Sequence, residues 1–364
     1  MSDIFENIKQ ALKEGKPFVA YGKPSSSPKR SIKAHFQKDK TLYFINDYTE
    51  NGFVFALFDI DKSKPILFPE AECNIIQDYF SSDELKSKTK IAYKKIHQAS
   101  SQKHHENLVE KALESISKQT FKKVVCSRKI EINVTHAPLD LFQRLLAFYP
   151  SAFVYFWHHP SVGTWLGATP ESLLQIEDSQ LKTMALASTK PFKEGELPQW
   201  QSKEINEQAL VSKFIEAELS PYLSDLKIGQ AQNIRAGKLW HLKSDITGKL
   251  TNQNSLQAII KGLHPTPAVC GLPKDKAKKF ILENEGYDRA YYSGFLGELN
   301  LLESEYQKNT RKTALFVNLR CMQATTKGYQ IYVGGGIVEG SIPKDEWQET
   351  VNKSQTMLDI FEKH

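Results

Sequence analysis

The stretch TLYFINDYTENGFVFALFDIDKSKPILF, residues 41–68, alternates short aromatic and β-branched runs with turn-forming Asn, Asp, Gly and Pro. Such punctuation predicts strands joined by hairpins. Working outward, Leu173–Ile176 and Leu181–Ala187 flank the turn EDSQ and predict a second hairpin, and Ala314–Cys321 with Tyr329–Val333 a third. Hairpins outnumber strand–helix–strand units, so the expected class is α+β with antiparallel sheets. No repeat of fixed period is present.

Helical periodicity appears at Met1–Phe18, Asp83–His97, Ser202–Leu219, Lys274–Glu283 and Lys344–Glu362. Leu108, Ala112, Leu113 and Ile116 mark a further helix, which leads into a strand, FKKVVCSRKIEINV, at 121–134. Between these, the polar segment ASSQKHHEN at 99–107 predicts a flexible surface connection and a soft boundary.

At 364 residues, with 40% hydrophobic and 25% charged side chains, the chain suits an ordinary soluble globular protein. The net charge of +6 comes from 48 basic residues, only seven of them Arg. Dispersed lysine without Arg clusters argues against nucleic-acid binding. Cys73, Cys126, Cys270 and Cys321 form no C-x-x-C pair and read as reduced, structural thiols. The N-terminus lacks the charged-then-apolar order of a signal peptide, and the apolar runs are too short to span a bilayer, so a cytoplasmic location is expected.

Several segments carry chemistry of ambiguous meaning. YVGGGIVEGS at 332–341 lacks the last glycine of a dinucleotide fingerprint and the G-K-[ST] of a P-loop. It reads either as a tight turn needing positive φ or as backbone held close to an anion. On the last helix, Glu346, Glu349 and Lys353 share a face beside the apolar stripe of Trp347, Val351, Met357, Leu358 and Phe361. Two carboxylates on one turn fit either a solvated face or part of a magnesium site. Glu204 and Glu207 pose the same choice. Lys123 alone reads as a surface lysine and Glu171 as a turn residue. No H-E-x-x-H is present to suggest a zinc hydrolase.

Taken in order, FKKVVCSRK (121–129), WLGATPESLL (165–174), MALAST (184–189), KEINEQALV (203–211), LWHL (239–242), LHPTPAVCGLP (263–273), YDRAYYSG (287–294), VNLRCMQ (317–323), YVGGGIV (332–338) and DEWQETVNKS (345–354) resemble the chorismate-utilising enzymes, most closely the isochorismate synthases. The resemblance covers about residues 108–364, with 1–107 a divergent N-terminal part. It implies one chorismate-binding domain over 1–364, with two large antiparallel sheets packed face to face and flanked by helices.

The resemblance also implies roles. Lys123 is the general base that activates water, and it must act as a neutral amine, a state favoured by burial or a cationic neighbour. Glu171 is the general acid, protonated before it reacts. Glu207, Glu346 and Glu349 hold Mg²⁺. Arg320, Gly334 and Lys353 anchor the substrate carboxylates, and Ser188, Thr189 and His241 line the same pocket. Two departures stand out: Ser188 occupies a position usually glycine, and Glu298 one often aromatic. The implied reaction is chorismate to isochorismate, feeding menaquinone or siderophore synthesis, in a monomer with no glutaminase subunit. Alternatives are a salicylate synthase and a silent protein that binds a small dianion.

Overall fold

A computed structural model describes residues 3–27, 29–81, 91–95, 100–192, 194–236, 239–252, 255–302 and 310–362. The first hundred residues carry α1 (Asp3–Glu14), β1 (Phe18–Gly22), β2 (Lys29–Gln37), β3 (Tyr43–Phe44), β4 (Gly52–Ala56), β5 (Ile66–Pro69), β6 (Cys73–Ser81) and β7 (Lys94–Lys95). Then come α2 (Ser100–Ser117), β8 (Lys123–Asn133), α3 (Pro138–Phe148), β9 (Phe153–His159), β10 (Gly163–Thr169), β11 (Ser172–Glu177), β12 (Gln180–Pro191) and α4 (Ser202–Leu219). The remainder forms β13 (Leu223–Ile228), β14 (Gln232–Ala236), β15 (Leu239–Leu250), α5 (Leu256–Leu263), β16 (Gly271–Leu272), α6 (Lys274–Asn284), β17 (Phe295–Leu302), β18 (Arg311–Val317), β19 (Cys321–Thr325), β20 (Gly328–Val338) and α7 (Pro343–Glu362).

The first ten-stranded sheet runs β16-β8-β20-β19-β10-β9-β1-β2-β6, with β7 on β8; the second runs β13-β15-β12-β11-β18-β17-β4-β5-β3, with β14 on β15. The expected α+β architecture of two large antiparallel sheets flanked by helices is what the chain adopts. Strands from the first 81 residues complete both sheets.

The sheets meet through a layer of aromatic rings. Phe153 of β9 stacks on Phe316 of β18 at 4.2 Å, and Phe55 of β4 stacks on Tyr291 at 4.1 Å. Tyr21, Phe53, Trp157 and Trp165 are buried in the same layer. Burial of each large apolar side chain contributes about 1.5–3 kcal/mol. Outside the first sheet, Phe5 of α1, Phe142 of α3 and Phe361 of α7 join one core; outside the second, Val211 of α4 and Ile259 of α5 join another. With both faces covered, β9 is apolar through Phe153–Trp157 instead of alternating.

Three local expectations are corrected. Residues 100–107 open α2 rather than forming a loose connection, because His105, Leu108, Val109 and Ala112 make one buried stripe and only the other faces are polar. Ala314–Cys321 and Tyr329–Val333 do not pair: β18 ends at Val317 in the second sheet, and β20 pairs instead with β19 and β8 in the first. Gly334, Gly335 and Gly336 lie inside β20, and the glycine with positive φ is Gly340 at +81°. Within the expected helix Asp83–His97, residues 83–90 and 96–97 lie outside the described residues, and Lys94–Lys95 form a strand.

Glu298 now has a physical account. Its carboxylate, 2% exposed, accepts from the Tyr21 hydroxyl at 2.6 Å and pairs with Lys23 at 2.5 Å and Lys33 at 3.2 Å. Burial raises its pKa, but the two lysines outweigh burial and hold it at about 2. An ionic strap thereby joins the sheets.

Candidate active site

The chain changes sheets through Pro170–Glu171, between β10 and β11, and again through Asn318–Arg320, between β18 and β19. These crossovers are bonded side by side. The Ala168 amide donates to the Arg320 carbonyl at 3.0 Å, the Val317 amide to the Glu171 carbonyl at 2.9 Å, and the Thr169 hydroxyl to the Val317 carbonyl at 2.6 Å. Arg320 turns with φ +48°. Glu171 and Arg320 therefore enter one cleft at the ends of the sheets, and Lys123, Ser188, Thr189, Glu207, His241, Gly334 and Lys353 line that cleft with them.

Lys123 is 1% exposed at the start of β8, and its Nζ lies 2.8 Å from Glu207 Oε1. It is buried, not superficial, and its partner is an anion rather than a cation. The glycine at 336 makes this pair possible: a Cβ there would stand 2.9 Å from Glu207 Oε1 and 3.1 Å from Lys123 Cε. Burial pushes the Glu207 pKa up, but Lys123 and, more weakly, Lys353 and the Ser188 hydroxyl bring it below the ordinary value. Its neighbour Glu204 instead caps α4, accepting from the Gln201 amide at 2.7 Å.

Glu171 is 4% exposed, and burial pushes its pKa up to about 7 although Lys123, Arg320 and Lys353 pull it down. This is the direction an acid catalyst needs. The Arg320 guanidinium makes no hydrogen bond to a protein acceptor among the described residues, leaving its donor fork for an anion in the cleft. Lys353 reaches from α7 to Glu349 at 2.5 Å and donates to the Gly334 carbonyl at 3.2 Å. His241 is neutral, since burial, with Arg320 and Lys353, lowers its pKa to about 3.

Tyr292 also lines the cleft and was not singled out from its motif, YDRAYYSG. Its hydroxyl stands 3.0 Å from a Cβ added at Gly334, and burial holds it protonated with a pKa of about 12. A second tyrosine beside it in the sequence, Tyr291, stacks in the core, and sequence alone does not separate the two.

Glu346 and Glu349 approach Gly335, with a Cβ there 3.6 Å from Glu346 Oε2 and 4.0 Å from Glu349 Cδ. Among the described residues no three His, Cys, Asp or Glu side chains are arranged to hold a metal ion. Glu207, Glu346 and Glu349 nevertheless bring hard carboxylate oxygens to two consecutive glycines, which suits Mg²⁺ chemically. Lys123 and Lys353 each pair with one oxygen of these carboxylates, Glu207 Oε1 and Glu349 Oε1, which leaves lone pairs for an ion.

Residues 58–362 match the family model described as "Chorismate binding enzyme". Isochorismate synthase DhbC of Bacillus subtilis is 31% identical over 273 residues, covering 70% of this chain and 66% of that protein. The crystal structure of DhbC from Bacillus anthracis superposes with a TM-score of 0.78 at 22% identity, covering 97% of this chain and 98% of that one. MenF, the menaquinone-specific isochorismate synthase of Escherichia coli, superposes with a TM-score of 0.75 at 21% identity, covering 95% of this chain and 89% of that one. No helix among the described residues is long and apolar enough to cross a membrane. By the match that runs through both sheets and every crossover on which the cleft is built, the chain belongs to the chorismate-binding enzyme family.

Proposed function

We propose that this chain isomerises chorismate to isochorismate with Mg²⁺. The observation that carries the reading is the buried Glu171 carboxyl, with its pKa raised to about 7, in the same cleft as the buried amine of Lys123. Lys123 takes a proton from water as the oxygen bonds to C2 of the ring. The ring double bonds shift, the C4–O bond breaks, and Glu171 gives its proton to the departing hydroxyl. One water enters and one leaves, so the product is an isomer.

Arg320 and Lys353 bind the substrate carboxylates, and the Gly334 backbone leaves room for one of them. Glu207, Glu346 and Glu349 would hold Mg²⁺, which would supply positive charge beside a substrate carboxylate. Ala187 lines the cleft and offers no amine to attack the ring, which favours water. The relatives include DhbC and a menaquinone-specific MenF, so the product enters siderophore or menaquinone synthesis. The chain acts as a monomer, in the cytoplasm, without a glutaminase subunit.

The deciding experiment incubates the protein with chorismate and Mg²⁺, with and without ammonium, and separates the products by chromatography. Isochorismate and chorismate approaching one ratio from either side is the expected result. Salicylate with equimolar pyruvate, an aminated product that requires ammonium, or no product at all overturns the reading.

A further inference from the structure

β12 pairs with β15 without interruption from Gln180↔Lys249 to Ala187↔Leu242, and pairing resumes at Thr189↔His241. Ser188 has no partner in the ladder and turns with φ +61°, a bulge conformation that favours glycine. A serine in left-handed backbone is strained, and such strain is held where its surroundings over-determine it.

Two bonds leave this one residue. The hydroxyl lies 2.9 Å from Glu207 Oε2 and 2.8 Å from the Glu204 carbonyl. It carries a single hydrogen, and the ionised carboxylate is the stronger acceptor. Lys123 holds the other oxygen, Oε1, so the Glu207 carboxylate is gripped at both ends. The Ser188 carbonyl stands 3.1 Å from His241 Nδ1, closer than the Thr189 hydroxyl at 3.4 Å, which can itself accept from that nitrogen. A carbonyl only accepts, so Nδ1 carries the hydrogen, and in a neutral ring Nε2 is then a lone pair. That Nε2 is buried and bonded to no protein atom among the described residues, while the imidazole lines the cleft.

We propose that Ser188 is a positioning residue: its hydroxyl orients Glu207 against Lys123, and its carbonyl fixes His241 as the Nδ1–H tautomer, whose Nε2 accepts a hydrogen bond from a hydroxyl in the cleft. The inference deepens the isochorismate reading and rests on it. Around the cleft Lys123, Arg320, Lys353 and the Tyr292 hydroxyl donate, Glu207 accepts as an anion, and the Thr189 hydroxyl and Glu171 carboxyl can do either, so His241 Nε2 adds an acceptor without charge. A neutral acceptor among them selects for a hydroxylated ring or the attacking water over a ring bearing carboxylates alone.

The test uses two variants that separate the hydroxyl from the backbone strain. Ser188→Ala removes the hydroxyl and keeps the strained φ, whereas Ser188→Gly removes both. Both are expected to lower kcat about tenfold with the chorismate KM within about twofold, which corresponds to about 1.4 kcal/mol. The glycine variant is expected to melt at a higher temperature than the alanine variant. A kcat within about twofold of wild type in both variants overturns the proposal. So does a glycine variant as fast as wild type beside a slow alanine variant, since activity would then follow strain alone. Histidine ¹⁵N spectra of the wild type, which need no turnover, are expected to show His241 protonated at Nδ1; protonation at Nε2 overturns the tautomer. Wild-type conversion of chorismate is the control: its failure overturns the functional reading, while the spectra still decide the tautomer.

Discussion

Lys123 Nζ and Glu207 Oε1 stand 2.8 Å apart, joining the first sheet to the helix that covers the second, and Gly336 forms the wall behind them. That wall has no spare room. Gly336→Ala would put a methyl 2.9 Å from Oε1 and 3.1 Å from Lys123 Cε. Neither buried atom yields without moving the other, and overpacking of this kind costs about 1–3 kcal/mol. We expect kcat to fall at least about tenfold, the loss conveyed by about 1.4 kcal/mol at the transition state, with a smaller change in KM. Steady-state kinetics beside denaturant melts check this, and an unchanged kcat would show that the pair is not part of the chemistry.

Glu171→Gln keeps shape and polarity but removes the transferable proton, and Lys123→Gln removes the basic amine while leaving a polar side chain. Each is expected to slow turnover by about 10²–10⁴-fold, the usual share of acid–base catalysis. Chorismate affinity, measured by calorimetry, should persist because Arg320 remains. Near wild-type turnover in either variant reassigns that role.

The raised pKa of Glu171 gives two pH signatures. Catalysis needs the protonated acid, so kcat should decline as pH rises through about 7. For stability, the folded state holds this proton more tightly than the unfolded chain, whose carboxyl has the ordinary value of 4.5. The folded state therefore loses stability as pH rises from about 4.5 to about 7, by on the order of 3 kcal/mol. Glu171→Gln lacks that loss, so its stability relative to wild type should increase across this window and stay level outside it. Urea unfolding of both proteins at pH 5 and pH 8 measures the difference, and parallel curves would refute the assigned pKa.

If Glu207, Glu346 and Glu349 hold Mg²⁺, chelation abolishes turnover and Glu349→Ala raises the half-activating magnesium concentration at least about tenfold. The same variant should blunt the rise in melting temperature that magnesium confers on wild type, since a ligand stabilises in proportion to its affinity for the folded state. Full turnover in excess chelator, with metal-free protein confirmed by elemental analysis, ends the assignment.

Much of this site was legible because its carriers are local. The helix bearing Glu207 was read as Ser202–Leu219 and observed with those bounds, and the shared face of Glu346, Glu349 and Lys353 follows from helical spacing alone. The crossover at Asn318–Arg320 was not legible, since the apolar run of one strand leads directly into that of the next and hides the change of sheet. Nor was the reason for Gly336, because its demand comes from Lys123 and Glu207, far away in sequence. The polar composition of 99–107 misled for a related reason: a helix needs only one buried stripe, and His105 opens it by packing against Trp347.

Arg320 exposes a conflict between binding and folding. Its guanidinium is held among Glu171, Lys353 and Tyr292 around the cleft, donates no hydrogen bond to protein among the described residues, and has its pKa lowered by burial. Burying a cation that lacks a bonded partner destabilises the empty fold, and a substrate carboxylate taken in a bidentate grip reverses that cost. Arg320→Lys keeps the charge but loses the planar fork, so KM for chorismate should rise about 10–100-fold with kcat changed far less. Arg320→Ala should bind chorismate still more weakly and yet unfold at a temperature equal to or above that of wild type. Chorismate at saturating concentration should then reverse the order, stabilising wild type and leaving the alanine variant where it was. Thermal melts of the three proteins with and without chorismate decide the matter: an alanine variant less stable than wild type in the absence of chorismate would mean that Arg320 serves the fold rather than the ligand.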